Sequence, residues 1–201
     1  MTISLIYAAI LAYLSGSIPF GLLLTRAAGL GDIRNVGSGN IGATNVLRTG
    51  NRWLAFFTLL LDAAKAAVPV LLTGALWGDG AAMIAAIFAF LGHCFPVWLR
   101  FRGGKGVAVM IGSLVALSWP VGLIFCAVWL VIALAQKMSS LAALTAAATS
   151  PIFAYVVRDE WLAATAAVMA FLLFFQHRTN IMRLMRGTEP KIGADKKAAV
   201  Q

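Results

Sequence analysis

Acidic side chains are scarce in this chain. Seven Asp and Glu stand against 16 Lys and Arg in 201 residues, giving a formal net charge of +9, and only 11% of residues are charged at all. Cysteine is nearly absent: Cys94 and Cys126 form no CxxC pair and are too few for a disulfide framework. A free cysteine in an apolar run is usually a small buried hydrophobe, the reading taken for Cys94 although His93 precedes it. Only two histidines occur, His93 and His177, and no Cys, Asp or Glu stands near either at metal-ligand spacing, so neither a metal nor a cofactor is expected. There is no GxSxG, which argues against a serine hydrolase. No stretch is long and polar enough for a separate soluble domain, so residues 1–201 are read as one. The basic residues are scattered through short loops with no nucleic-acid-binding module, so no nucleic acid partner is expected.

What the chain has is hydrocarbon. It is 61% hydrophobic, with a mean hydropathy of +0.90, in the range of polytopic membrane proteins. About 20 apolar residues cross a bilayer as a helix. Spans are expected over Ile3–Thr25, Trp53–Trp77, Ala81–Leu99, Ser139–Val157 and Trp161–Gln176. The first has no basic stretch before it and is too long for a signal peptide core, so it is expected to stay as a span. It carries Gly16-Ser17-Ile18-Pro19, where a helix bends or packs closely. Pro151 is expected to kink the Ser139–Val157 helix, and Gly78-Asp79-Gly80 to form a tight outer turn. Val107–Ala135 is too long for one span and short for two. Two short spans turning near Ser118–Pro120 are preferred, because they put Lys137 and the basic C-terminal tail on one side.

The expected fold is therefore an all-α polytopic membrane protein of seven transmembrane helices, some short or kinked. Its N-terminus is outside and its C-terminus cytoplasmic. On this topology all but two of the 16 Lys and Arg, Lys196 and Lys197 among them, lie in the cytoplasm. The exceptions are Arg158, outside, and Lys65, inside the second span. Asp62 and Lys65 are three apart on one helix face, and mutual neutralisation is the preferred reading of the pair.

Three polar clusters fall on the cytoplasmic side. Gly37–Arg48 offers three glycines, the hydrogen-bonding side chains of Ser38, Asn40, Thr44 and Asn45, and the forked cation of Arg48, which suits phosphate. Gly103, Gly104, Lys105 and Gly106 precede a helix expected from Val107, and a helix N-terminus favours an anion. Val107 stands where a Walker A loop needs Ser or Thr, so nucleotide binding is disfavoured. His177 and Asn180 open the tail, which either continues as helix or rests as a basic amphipathic segment on anionic lipid. Together with His93 these clusters combine cations, glycine backbone and imidazole with few acids, a chemistry for holding phosphate groups at a membrane surface.

The stretches GSGNIGATNVLR (37–48), GHCFPVWLRFRGGKGVA (92–108) and HRTNIMRLMRGTE (177–189) resemble the three cytoplasmic motifs of the PlsY family of bacterial acyl-phosphate:glycerol-3-phosphate acyltransferases. GSIPFG (16–21) resembles that family's first span. The resemblance runs in order over nearly the whole chain. It implies seven helices in the bacterial inner membrane, an active site at the cytoplasmic face, and a functional link to an enzyme that forms acyl phosphate. The implied reaction moves an acyl group from acyl phosphate to the 1-hydroxyl of sn-glycerol 3-phosphate, releasing lysophosphatidate and phosphate. It further implies that Ser38 and Arg48 are essential, that Gly103-Gly104-Lys105 is the glycerol-phosphate site, that His177 and Asn180 are important to activity, and that Glu189 is structural. Asn40, Thr44 and Asn45 are candidates for phosphate binding, and His93 is a further candidate.

A base must take the hydroxyl proton. The His-x4-Asp dyad of many glycerolipid acyltransferases is absent, since Trp98 and Met182 stand five positions after His93 and His177. The leaving phosphate of the donor is the first candidate and His177 the second. The main rival class is a transporter or channel for organic phosphates, which the Asp62–Lys65 pair and broken helices would suit. Against it, the polar clusters gather on one face only.

Overall fold

The structure, a computed structural model, describes residues 2–192; Lys196 and Lys197 lie outside the described residues. Among these residues there is no strand. The helices are α1 (Thr2–Gly16), α2 (Phe20–Ala27), α3 (Ala43–Val46), α4 (Arg52–Trp77), α5 (Asp79–Cys94), α6 (Val107–Leu117), α7 (Trp119–Gln136), α8 (Ser139–Val157), α9 (Glu160–Gln176) and α10 (Arg178–Met185). The protein is all-α and polytopic. Among the described residues, five segments are long and apolar enough to cross a membrane: Thr2–Ala27, Arg52–Trp77, Asp79–Leu99, Trp119–Gln136 and Ser139–Val157. α9 and α10 meet at a 66° bend, and α6 is a shorter apolar helix.

The chain divides into two compact units, the first ending at Gly122 and the second beginning at Leu123. In the first, α1 packs on α4 and α5, and α4 packs on α5 and α6. Small residues make these contacts. Ala85, Ala86 and Ala89 are fully buried, and a side chain at Gly16 would run into the backbone of Ala89. A side chain at Gly112 would likewise meet the backbone of Ala63. Some large side chains, Phe90, Met110 and Leu114 among them, fill the space between, while many others face outward, for example Val68 at 60% exposed and Leu71 at 57%. Small residues at the contacts suit helices solvated by lipid, where tails are as apolar as leucine and close backbone approach drives association. The second unit repeats the pattern: α8 packs on α9 through buried Ala142, Ala143, Ala146 and Ala147, while Val156 and Phe171 point outward.

Breaks fall where the chain is polar or restricted. The first span stops at Gly16 and resumes at Phe20, with Ser17-Ile18-Pro19 between. Gly122 lies against the backbone of Val115, so the chain folds back sharply at Ser118, within the turn expected there. α8 runs as one helix through Pro151. One local expectation fails: α5 begins at Asp79, so the turn shrinks to Gly78 alone, at φ 83°. The first polar loop lies between α2 and α4. It holds a 3-10 turn at Ile33–Asn35, the short helix α3 and a second 3-10 turn at Leu47–Thr49. Its apolar residues explain this. Ile33, Ile41 and Val46 are buried with Leu22 of α2 and Ala55 of α4 in a small core beneath the loop. Each of the leucine, isoleucine and valine side chains contributes about 1.5–3 kcal/mol on burial, which fixes the polar residues above it.

Candidate functional site

The first loop is organised by Asn45, which is 2% exposed. Its Nδ2 donates to the carbonyls of Ile33 (3.0 Å), Val36 (2.9 Å) and Asn40 (2.8 Å). Its Oδ1 accepts from the backbone N–H of Ser38 at 3.0 Å and the Ser38 hydroxyl at 3.3 Å. The amide is thus committed to the loop, and it presents Ser38, which is exposed. Arg48 is brought to the same place. Gly37 has φ 54°, and a Cβ there would sit 2.8 Å from Arg48 Nη1 and 2.6 Å from Asn45 Oδ1. Only glycine combines that backbone with that closeness. Asn40 accepts from the N–H of Gly42 at 3.3 Å, and Thr44 is exposed at the start of α3. Arg26 and Arg34 close on Asp32 at 2.7 Å and 2.6 Å. The Arg34 hydrogen bonds hold the Asp32 carboxyl well below the usual carboxylate range.

In the same unit, the glycine loop closes back onto the end of α5. The N–H groups of Gly103 and Gly104 donate to the carbonyls of Cys94 and His93, both at 3.0 Å. A Cβ at Gly104 would overlap the Nε2 edge of the His93 ring. These glycines therefore give the loop close contact with α5. Lys105 and Gly106 follow, and Gly106, at φ 86°, caps the N-terminus of α6. The first-turn N–H groups of α6 have no partner within the helix, and its dipole favours negative charge there. Upstream, the Trp98 indole N–H donates to the carbonyl of Ser17 (2.7 Å) and the Tyr13 hydroxyl to that of Phe95 (2.8 Å), tying this region to the break in the first span.

Sequence reasoning missed what lies behind the loop. Lys65 Nζ sits 2.7 Å from Asp62 Oδ1, the pairing expected from their spacing. It also donates to the carbonyl of Ile18 at 2.6 Å and contacts His93 Nδ1 at 3.0 Å. The signal in the sequence was an intramembrane lysine and a lone histidine, with nothing to join them across 28 positions. His93 itself is 3% exposed, behind Gly104 rather than at the surface.

In the second unit, His177 caps the end of α9 at the bend into α10 and is 3% exposed. Its Nδ1 lies 2.9 Å from the carbonyl of Leu173. A carbonyl only accepts, so Nδ1 carries the proton and the lone pair of a neutral ring is on Nε2. One turn on, Asn180 Nδ2 donates to Glu189 Oε1 at 2.6 Å, and Arg183 Nε donates to Glu189 Oε2 at 2.7 Å. Burial would raise the Glu189 carboxyl, but its polar partners, the Asn180 and Arg183 hydrogen bonds among them, outweigh it and hold the group below the usual glutamate range.

Cations and hydrogen-bond donors gathered at a helix start and beside a tight glycine loop suit phosphate recognition, and known proteins with this chain pattern agree. The family model for glycerol-3-phosphate acyltransferase matches residues 6–187. The glycerol-3-phosphate acyltransferase of Jannaschia sp. (strain CCS1) is 57% identical over 92% of this chain and 91% of its own length. That of Mesorhizobium japonicum is 57% identical over 96% and 99%. The crystal structure of PlsY, an integral membrane glycerol 3-phosphate acyltransferase, in its glycerol 3-phosphate form superposes with a TM-score of 0.90 at 36% identity, covering 98% of this chain and 100% of that one. A second PlsY structure, in the lysophosphatidic acid form, gives 0.88 at 35%. With likeness of this extent in both sequence and helix arrangement, the chain belongs to the glycerol-3-phosphate acyltransferase family.

Proposed function

We propose that this acyltransferase uses acyl phosphate as donor and acylates the 1-hydroxyl of sn-glycerol 3-phosphate, giving lysophosphatidate and inorganic phosphate. The observation that carries the reading is the glycine loop seated on α5 with Lys105 at the entrance to α6, in a chain belonging to this family. Lys105 and the first-turn N–H groups of α6 meet a phosphate there, and Gly103 and Gly104 give the loop its shape. Ser38 and Arg48, with Asn40 and Thr44 beside them, hold the donor's phosphate and stabilise charge that develops as the acyl group leaves. Asn45 serves the same end by holding Ser38 in place. His177 and Asn180 contribute from the second unit, and Glu189 fixes Asn180. The activity belongs to a single domain, residues 1–201, and needs residues from both units.

Two anions must be oriented while one hydroxyl loses a proton. The leaving phosphate of the donor takes that proton. His177, the competing base, would act through Nε2, because Nδ1 is bonded to Leu173. The chain is read as crossing the bacterial inner membrane seven times, with its reaction centre on the cytoplasmic side. A partner enzyme that makes acyl phosphate then supplies the donor.

One assay tests the reading. Detergent-purified protein is given labelled glycerol 3-phosphate with acyl phosphate or acyl-CoA, and lysophosphatidate is extracted. Product from acyl phosphate alone is expected; product from acyl-CoA at equal rate would defeat the donor assignment. In the same assay His177→Ala keeps measurable turnover if the substrate supplies the base. An inert His177→Ala protein that still binds glycerol 3-phosphate would transfer that role to the histidine.

A further inference from the structure

The reaction as described leaves one buried cluster without a role. Asp62, Lys65 and His93 all lie in the first unit and are no more than 5% exposed. A buried ion pair is a weak source of stability, because desolvating two charges offsets their attraction. Asp62 and Lys65, three apart on α4, need nothing else to neutralise each other. Yet the ammonium also reaches out of its own helix, to the Ile18 carbonyl at 2.6 Å and to His93 Nδ1 at 3.0 Å, and it lies 5.8 Å from the centre of the Phe20 ring.

That geometry fixes the imidazole. An ammonium donates and never accepts, so Nδ1 of His93 must accept from it and the ring proton sits on Nε2. Nε2 is the edge against which Gly104 is seated, and the backbone N–H of Gly104 returns to the His93 carbonyl at 3.0 Å. A continuous line of contacts therefore runs from Asp62 through Lys65 and the His93 ring to Gly104, next to Lys105.

We propose that Asp62, Lys65 and His93 are positioning residues for the glycerol 3-phosphate site. The ion pair holds the ring in one rotamer and tautomer, and the ring sets the depth at which Gly104 presents Lys105 and the first turn of α6. This rests on the assignment of the glycine loop to that phosphate. None of the three touches substrate.

The test measures KM for glycerol 3-phosphate and for acyl phosphate separately, in folded, detergent-purified variants. His93→Asn keeps an acceptor where Nδ1 stood but removes the ring beneath Gly104. It should raise KM for glycerol 3-phosphate by about tenfold to a hundredfold, the effect of a displaced group, and leave KM for acyl phosphate unchanged. Asp62→Asn with Lys65→Met, which leaves no lone buried charge, should do the same. Gly104→Ala puts a methyl into the ring and should lose most activity; adding His93→Asn should restore it towards the level of His93→Asn alone. The inference is overturned if His93→Asn has wild-type constants, if both KM values rise alike, or if the double variant simply combines the two losses. His93→Asn decides alone should the Asp62/Lys65 pair variant not fold. Lys105→Ala is the reference. If it too leaves KM for glycerol 3-phosphate unchanged, the phosphate assignment has failed. If only Lys105→Ala raises it, positioning by the buried cluster has failed.

Discussion

At the scale of single residues, two neighbours in the first loop separate holding from acting. Asn45 is buried and makes five hydrogen bonds to its own loop, whereas Ser38 is exposed at the end of them. Asn45→Ala leaves the carbonyls of Ile33, Val36 and Asn40 without that donor. An unpaired buried polar group costs about 1–3 kcal/mol, and solvent reaches part of this loop, so a loss of about 2–3 kcal/mol in stability is expected. Activity falls with it, because Ser38 and Arg48 lose their arrangement. Ser38→Ala removes one exposed hydroxyl and should change stability by less than about 0.5 kcal/mol while turnover still collapses. Thermal melting and turnover, read on the same samples, check both. A Ser38→Ala protein with full turnover would end the proposal that this hydroxyl meets the donor.

At the scale of elements, one carboxylate ties α10 to the chain that follows it. Glu189 ties Asn180 and Arg183, three residues apart on α10, to the chain that follows the helix. Its carboxyl sits below the usual glutamate range, so the native state keeps the charge at pH values where an unfolded tail would already be protonated. The stability it contributes is complete above the ordinary glutamate range and drains away as pH falls through that range to the lowered native value. Hydrogen exchange of 177–189, corrected for its intrinsic pH dependence, should show protection falling over that window. Glu189→Gln, which keeps an oxygen for Asn180 but not the charge for Arg183, should have low protection at neutral pH and lose the acid-dependent part. The sequence made this region only half legible. The motif picked out His177, Asn180 and Glu189, but whether the tail continued as helix stayed open. The 66° bend was not readable, because no proline or glycine stands at it. Long apolar runs and the Ser17-Ile18-Pro19 break were readable, since hydropathy and a missing donor act locally. The Lys65–His93 contact was not, because it joins residues on two helices that only the packing of Ala and Gly faces brings together.

At the scale of the whole molecule, the proposal stands or falls on which side each loop faces. α4 has 26 residues, about 39 Å of helix, ample for a hydrocarbon core of about 30 Å. α6 has 11, about 16 Å, and it starts beside His93, near the end of α5. It is therefore too short to cross that core by itself, and on the seven-span topology the reversal at Ser118 would be recessed in the bilayer. Seven crossings and the positive-inside rule together make a specific labelling pattern. In a Cys94→Ala/Cys126→Ala background, single cysteines replacing Gly80 and Glu160, both exposed, should react quickly with a membrane-impermeant maleimide added to intact cells. Cysteines replacing Ala28, Gln136 and Thr188, also exposed, should react only after the membrane is opened. Trp119→Cys should react from outside but more slowly than Gly80→Cys, as befits a turn recessed in the bilayer. If Trp119→Cys reacts only after opening while the other five keep their pattern, α6 and α7 form a re-entrant hairpin and the crossings number five. The glycine loop then still faces the cytoplasm, and the chemistry survives with a different fold around it. If Ala28→Cys and Thr188→Cys react from opposite sides, Ser38 and His177 border different compartments, and residues of the two units do not serve one acyl transfer.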